Sequence, residues 1–404
     1  MGSWPVISNP SSDSSAFDRF RAYVLGNEML QLELSRIDEP DRFAERSASI
    51  ATALGVDLSC EAILASLRRD PLGLSRWLPA PANAAGWPSK HWLPAHLTPA
   101  PGGAVTVDWL HFAGERLMAP FFEPSLRRAF SRPLNQMFSY RTTLDDFVAA
   151  AKLNEALVPD GFIFHMSRCG STLVAQMLAA LPSNIVVSEA EPLNAAVQLS
   201  GHLPHLPPEK HVRVLTAMVA ALGRRRFDAE RHYVMKLDSW HSLALPLFRR
   251  AFPQVPWVFL YRDPVEVLVS QMRERGLQLI PGAFAPCPFG IEDGAAMEGE
   301  EYCARVLEKI CSAALDYLDL GRGLAINYDE LPEAVWRKIL PHFGIACSEE
   351  DEAAMKLAAR RNAKAPFEEF VSDTNVKQRQ ATQGIRAVAQ RHLGKVYGAL
   401  EALR

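Results

Sequence analysis

"GFIFHMSRCGSTLVAQML", residues 161–178, decides the fold of this chain. Phe162 to Met166 form a short apolar run, Ser167 to Thr172 a small polar loop, and Leu173 onward a helical pattern, so the stretch predicts strand, turn and helix in that order. The same alternation continues along the chain. "IVVS", "YVMKL", "WVFLY" and "LAINY" predict further strands; helices follow most of them, and others start near Pro207, Met297 and Leu331. This order predicts an α/β fold with a parallel sheet flanked by helices, and such sheets bind ligands at the carboxyl ends of their strands.

That rule places "SRCGST" where a ligand sits. Gly170 permits a tight turn, and the amides of Gly170, Ser171 and Thr172 point together at a helix N-terminus, which favours an anion. It is not a Walker loop, because G-x-x-x-x-G-K-S/T requires a Lys before the Ser or Thr. The cation of this loop is Arg168. Alone, such a loop is often only a turn. A second segment, "WVFLYRDPVEVLVSQMRERG", adds a strand ending at Tyr261, then Arg262, an Asp-Pro helix start, and Ser270 eight residues after the arginine. A guanidinium at a strand end and a hydroxyl two turns into the helix can meet on a second anion. Two anion grips on one sheet suit a nucleotide with phosphate at both ends; a surface Arg with a helix-facing Ser is the plainer alternative.

With both segments in view, residues 160 to 345 resemble the sulfotransferase family, a P-loop-type fold whose donor is 3′-phosphoadenosine-5′-phosphosulfate and whose product is 3′-phosphoadenosine 5′-phosphate. The family's P-x-S-G-T-T-type loop corresponds to "SRCGST", so the resemblance implies that Arg168, Cys169, Gly170, Ser171 and Thr172 hold the phosphosulfate and that Arg262 and Ser270 hold the 3′-phosphate. "AINYDELPEAVWRKILPHFGI" is similar to the family's late strand and Y-E-D-L helix start, which implies that Tyr328 lies near the adenine. Lys377 and Arg379, in "SDTNVKQRQATQG", either close over the donor or are solvated charges at a helix start. Two departures stand out. Arg168 replaces the Lys of many cytosolic members, as in tyrosylprotein sulfotransferases, and Cys169 replaces the usual Ser as a weak donor.

Sulfuryl transfer resembles phosphoryl transfer, with in-line attack and negative charge growing on the bridging oxygen, so it needs cations and one base. Arg168 and Lys236 are the candidate cations, the latter at the end of "YVMKL" with a spacing similar to the transition-state Lys of tyrosylprotein sulfotransferases. Glu189, in "VVSEAEPLN", stands where those enzymes carry their catalytic Glu. Asp238 stands where cytosolic members carry a catalytic His and is the rival base. Glu191 and His241 are lesser options. No metal is expected.

The remainder frames these motifs. The chain has 404 residues, 48% hydrophobic and 22% charged, with a net charge of −3, enough for a large core and against a surface that coats nucleic acid. Six cysteines without a C-x-x-C pair and no basic-then-apolar N-terminus predict a reduced, cytoplasmic protein, and no apolar run approaches the roughly 18 residues of a membrane span. Residues 1–70 read as a helical unit in which "DEPDRFAERSASIATALGVDLSCEAIL" resembles the Nif11-like segment of peptide leaders. That resemblance implies peptide or protein recognition; the alternative is a small bundle packed on the enzyme. Residues 71–103 read as a Pro-rich linker, 104–159 as an accessory subdomain, and 160–404 as the P-loop domain. The sequence thus predicts a sulfotransferase acting on a hydroxyl of a small metabolite or peptide. The competing readings are an ATP-dependent P-loop kinase and a non-catalytic nucleotide-binding or docking protein.

Overall fold

Short polar side chains start the first helices of the computed structural model, which describes residues 15–67, 82–83, 86–99, 104–284, 287–318, 320–364, 368 and 373–404. Ser15 caps the helix Ala16–Leu25, Asn27 caps Glu28–Ser35, and Ser59 caps Cys60–Ser66, each accepting a backbone N–H of the first turn. Between them Pro40 opens the helix Pro40–Ala53, and Gly55, at φ +68°, ends it in the left-handed conformation. The apolar faces of these helices close on Phe20, Val24, Leu34, Phe43, Ile50 and Ile63, all buried.

The helices do not stand apart. They cover a four-stranded sheet of order β1-β4-β3-β2, built from β1 (Ala82–Asn83), β2 (Trp92–Pro99), β3 (Val105–His111) and β4 (Tyr140–Thr143). The Trp92 indole donates to Gln31 Oε1 at 2.8 Å, and the Gln31 amide donates in turn to the carbonyls of Val24 and Leu25. Tyr140 donates to the Leu25 carbonyl at 2.5 Å, and Arg132 to that of Ser35 at 2.8 Å. The stretch predicted as a linker therefore contains a strand. Its prolines are tolerated because β2 lies at the sheet edge and its register shifts between Pro94 and His96.

The larger sheet is parallel throughout, of order β6-β7-β5-β8-β9, with β5 (Gly161–His165), β6 (Asn184–Ser188), β7 (His232–Lys236), β8 (Trp257–Tyr261) and β9 (Gly323–Asn327). Strands β5, β6 and β8 are buried at every position, as a sheet covered on both faces requires. From central β5 the chain steps to one side for β6 and β7 and to the other for β8 and β9. The crevice between the β5 and β8 loops is thus the point where the strand order reverses, and ligands of open α/β sheets bind there. Among the described residues no helix is long and apolar enough to cross a membrane.

Because Phe20 is fully buried against Phe138, with ring centroids 6.1 Å apart, Phe20→Ala is expected to cost about 3–5 kcal/mol. The N-terminal helices and the small sheet share this core. Urea unfolding followed by tryptophan fluorescence should therefore show one transition displaced to lower denaturant; an early separate transition with the main one unmoved would mean that the helices form an independent unit.

Candidate functional site

All five strands of the parallel sheet end in a residue of one cavity or its backing. His165 ends β5, Glu189 follows β6, Lys236 ends β7, Arg262 follows β8 and Tyr328 follows β9. The cavity measures about 430 Å³ and is lined by Arg168, Cys169, Gly170, Ser171, Thr172, Glu189, Arg262, Ser270, Tyr328 and Lys377, among others. The structure thus brings these sequence-derived residues together. Lys236 and Asp238 are not on its wall: both are buried behind it.

The loop after β5 is built on unusual backbone. Ser167, Arg168 and Gly170 have φ of 79°, 53° and 84°, two of them in residues that carry a Cβ. Such conformations persist only where surrounding structure holds them. Here the Cys169 thiol donates to the Leu260 carbonyl at 3.0 Å, and Gln271 donates to Ser167 Oγ at 3.0 Å. Burial pushes the Cys169 thiol up to about 12, so it stays protonated and serves as a donor rather than a nucleophile. A Cβ on Gly170 would come within 2.7 Å of Leu331 and 2.9 Å of Tyr328, so only glycine lets the loop approach the end of β9. The helix Ser171–Ala179 begins directly behind it, its free amides facing the cavity end. Arg168 reaches across to the carbonyl of Glu274 at 2.7 Å and to its carboxylate at 3.0 Å.

At the other end Arg262 is held on all sides. Its guanidinium lies 3.8 Å from the centroid of the Tyr328 ring, pairs with Glu266, and donates to Asp373 at 3.1 Å and Thr374 at 3.0 Å. Asp373 also pairs with Lys377 at 2.8 Å, which makes Lys377 a buried cavity residue rather than a solvated charge; Arg379 instead donates to the Asn375 carbonyl, away from the cavity. Ser270 lines the same space, though no hydrogen bond joins it to Arg262 among the described residues.

Between the two ends lies a buried cluster of titratable groups. Lys236, without solvent exposure of its side chain, pairs with Glu189 Oε1, and its ammonium sits 4.8 Å from the centroid of the Phe121 ring. His165 Nε2 lies 3.4 Å from the same oxygen. Glu189 itself has φ 50°, rare for a residue with a side chain, and its amide donates to the Lys236 carbonyl at 2.8 Å. Burial acts to raise the Glu189 carboxyl, but Lys236 and His165 outweigh it and hold the group well below the usual carboxylate range. Both contacts fall on Oε1, leaving Oε2 without a hydrogen-bond partner among the described residues. Asp238 is the opposite case: burial, and then the Glu189 charge, raise its carboxyl well above the usual range. Glu191 faces away to His96 at 3.4 Å, and His241 is packed between Asn194 and Asp238.

Several cavity residues carried no signal in a motif. His165 ends the strand before the loop, a position that strand-end reasoning alone could have flagged. Phe121 comes from the segment between β3 and β4, Trp240 from the turn after Asp238, and Lys364 and Asp373 from the stretch beyond the helix Glu349–Ala359. Lys364 reaches solvent, yet enclosure by the cavity mouth, and next the charge of Arg168, bring it down to about 8.

Residues 159–349 match the profile described as the sulfotransferase family. Three similar solved structures are a sulfotransferase of Mycobacterium avium (12% identity, TM-score 0.35, covering 62% of this chain and 81% of that one), the sulfotransferase domain of the curacin biosynthetic pathway (14%, 0.38, 59% and 98%) and a sulfotransferase of Mycobacterium tuberculosis H37Rv (16%, 0.34, 62% and 84%). Comparison with curated proteins gives no match.

The buried pair sets a pH dependence that can be measured. In the intact chain the depressed Glu189 contributes stability that is present above its unfolded value and is lost only as pH falls through the lower folded one. Lys236→Met removes the partner and should cost about 3–5 kcal/mol at neutral pH. Burial then raises the carboxyl instead, so the variant's deficit should shrink as pH falls toward about 5 and Glu189 takes up a proton. Urea midpoints of both proteins across this range check the sign; a deficit independent of pH would contradict it.

Proposed function

With residues 159–349 in the sulfotransferase family, we propose that the chain transfers a sulfuryl group from 3′-phosphoadenosine-5′-phosphosulfate to a hydroxyl of a small metabolite or peptide. The observation that carries this reading is one cavity with an arginine, Arg168 or Arg262, at each end and the Glu189 carboxylate between them. The residues present fit such a donor. The amides of Gly170, Ser171 and Thr172 with Arg168 would hold the phosphosulfate, Arg262, Ser270 and Lys377 the 3′-phosphate, and Tyr328 would flank the adenine. The close approach of the loop to Tyr328, possible only at Gly170, supports a cradle for a flat, charged ligand.

The donor supplies an activated sulfur; this chain's residues do the rest. Glu189 Oε2, open to the cavity, takes the acceptor proton as the new O–S bond forms and the bond to the phosphate oxygen breaks. Lys236 keeps Glu189 ionised and adds positive potential behind the site, and Arg168 offsets charge on the departing phosphate once it exchanges Glu274 for the donor. Phe121 and Trp240 line the same cavity and would wall its acceptor side. Asp238, buried behind the cavity wall, has no route to the acceptor in this arrangement.

Calorimetry with 3′-phosphoadenosine 5′-phosphate beside ATP, followed by an acceptor screen with labelled donor, tests the reading; preference for ATP would favour a kinase. Arg262→Ala and Ser270→Ala should weaken the bisphosphate much more than adenosine 5′-monophosphate, roughly 10- to 100-fold for the arginine. Equal loss for both nucleotides would remove the 3′-phosphate assignment. Glu189→Gln should lower turnover on the order of 10²- to 10⁴-fold with donor affinity nearly unchanged. Asp238→Asn should stay within a few-fold of wild type; the reverse outcome would transfer the base to Asp238.

A further inference from the structure

His165 has two nitrogens and two different duties. The backbone N–H of Ser167, inside the anion loop, donates to its Nδ1 at 3.1 Å. An accepting Nδ1 carries no proton, so the neutral ring bears its proton on Nε2. From there it faces the Leu237 carbonyl at 2.8 Å and Glu189 Oε1 at 3.4 Å. The ring is buried at the end of the central strand, yet lines the cavity. One side chain therefore joins the loop that meets an anion to the carboxylate that meets a proton.

We infer that His165 is a positioning residue that fixes Glu189 with Oε2 toward the acceptor and ties that orientation to the conformation of the anion loop. This rests on the reading of Glu189 as the base. Lys236 pairs with Oε1, and His165 Nε2, whose N–H donates to the Leu237 carbonyl, lies 3.4 Å from the same oxygen; Oε2 is the oxygen left for the acceptor. The left-handed backbone at both Ser167 and Glu189 marks the two points the ring connects. The charged and titratable groups facing Glu189 are Lys236 at the end of β7, His165 at the end of β5, Asp238 and His241 in the turn after β7, and Lys364 at the cavity mouth. Of these, Lys236 and His165 touch it and depress its carboxyl.

Two substitutions separate the two duties. His165→Gln keeps an N–H donor near the Nε2 position and gives up the acceptor for Ser167; His165→Asn keeps a polar atom near Nδ1 and gives up the N–H between the Leu237 carbonyl and Glu189. In the full chain, His165→Asn is expected to lower kcat on the order of 10- to 100-fold. It should leave the Kd for 3′-phosphoadenosine 5′-phosphate within about threefold of wild type. It should also move the acid limb of the kcat–pH profile upward, because Glu189 loses one of the groups that depress it. His165→Gln should retain most of kcat and the wild-type limb. Equal losses in both variants with an unmoved limb, or a fall in bisphosphate affinity that matches the fall in kcat, would overturn the inference. Glu189→Gln, measured beside them, reports on the base alone. The link itself is read without turnover from the imidazole ¹⁵N shifts, expected to show the Nε2–H form in wild type and a displaced Nε2 resonance in Glu189→Gln. An Nε2 resonance indifferent to Glu189→Gln would sink the link even if the base reading stands.

Discussion

A lysine shut away from water has to be neutralised where it stands, and in this chain Lys236 is neutralised by Glu189. Leaving either charge alone would cost several kcal/mol, so the end of β7 and the turn after β6 are bound to one geometry. The amide of Glu189 bonding to the Lys236 carbonyl and the left-handed turn at Glu189 follow from that pairing. The pair draws in His165 from β5 and, through it, the loop after β5. Three of the five strands thus meet through one buried ion pair, with the cavity directly in front of it.

The opposite end of the cavity is organised differently. Arg262 is engaged by Glu266, Asp373 and Thr374 and stacked on Tyr328, so its position is set before any ligand arrives. Such an arrangement lowers the entropy lost when a ligand binds, while the carboxylate of Asp373 would compete with any anion for the guanidinium. Arg168, in contrast, is tied to the exposed Glu274, a pairing weak enough in water to be given up to a stronger anion. One end is thus preformed and the other exchangeable.

Much of this was legible in the residues. The five strands lie within one residue of the apolar runs that predicted them, because a strand buried on both faces has to be apolar without interruption. The loop after β5 and the Arg262–Ser270 spacing were readable because glycine and strand-end cations have local physical consequences. What escaped was non-local. Phe121, Lys364 and Asp373 reach the cavity from segments without periodicity or turn chemistry that point to it. For Lys377 the sequence left closure over the donor and a solvated helix charge both open, because its partner Asp373 is invisible to spacing. The edge strand Trp92–Pro99 was hidden by its prolines, which report on an unpaired edge as readily as on a linker. Glu189 and Asp238 were not separable in the sequence; burial raises both carboxyls, and the contacts of Glu189 with Lys236 and His165 bring that one down while Asp238 stays raised.

The aromatic ring over Lys236 has a consequence for how such a protein can be divided. Phe121 belongs to the layer that precedes the parallel sheet, and Asp373, Thr374 and Lys377 follow the stretch that matches the family; residues 159–349 therefore contain the loops and strand ends but neither the roof nor the clamp. The unit of inheritance and the unit of chemistry have different borders. Substituting the flanks would re-dress the two mouths of the cavity while its floor and the central sheet stayed intact. Transplanting the matched stretch by itself would carry the floor into a new host and admit water to a lysine that has none now.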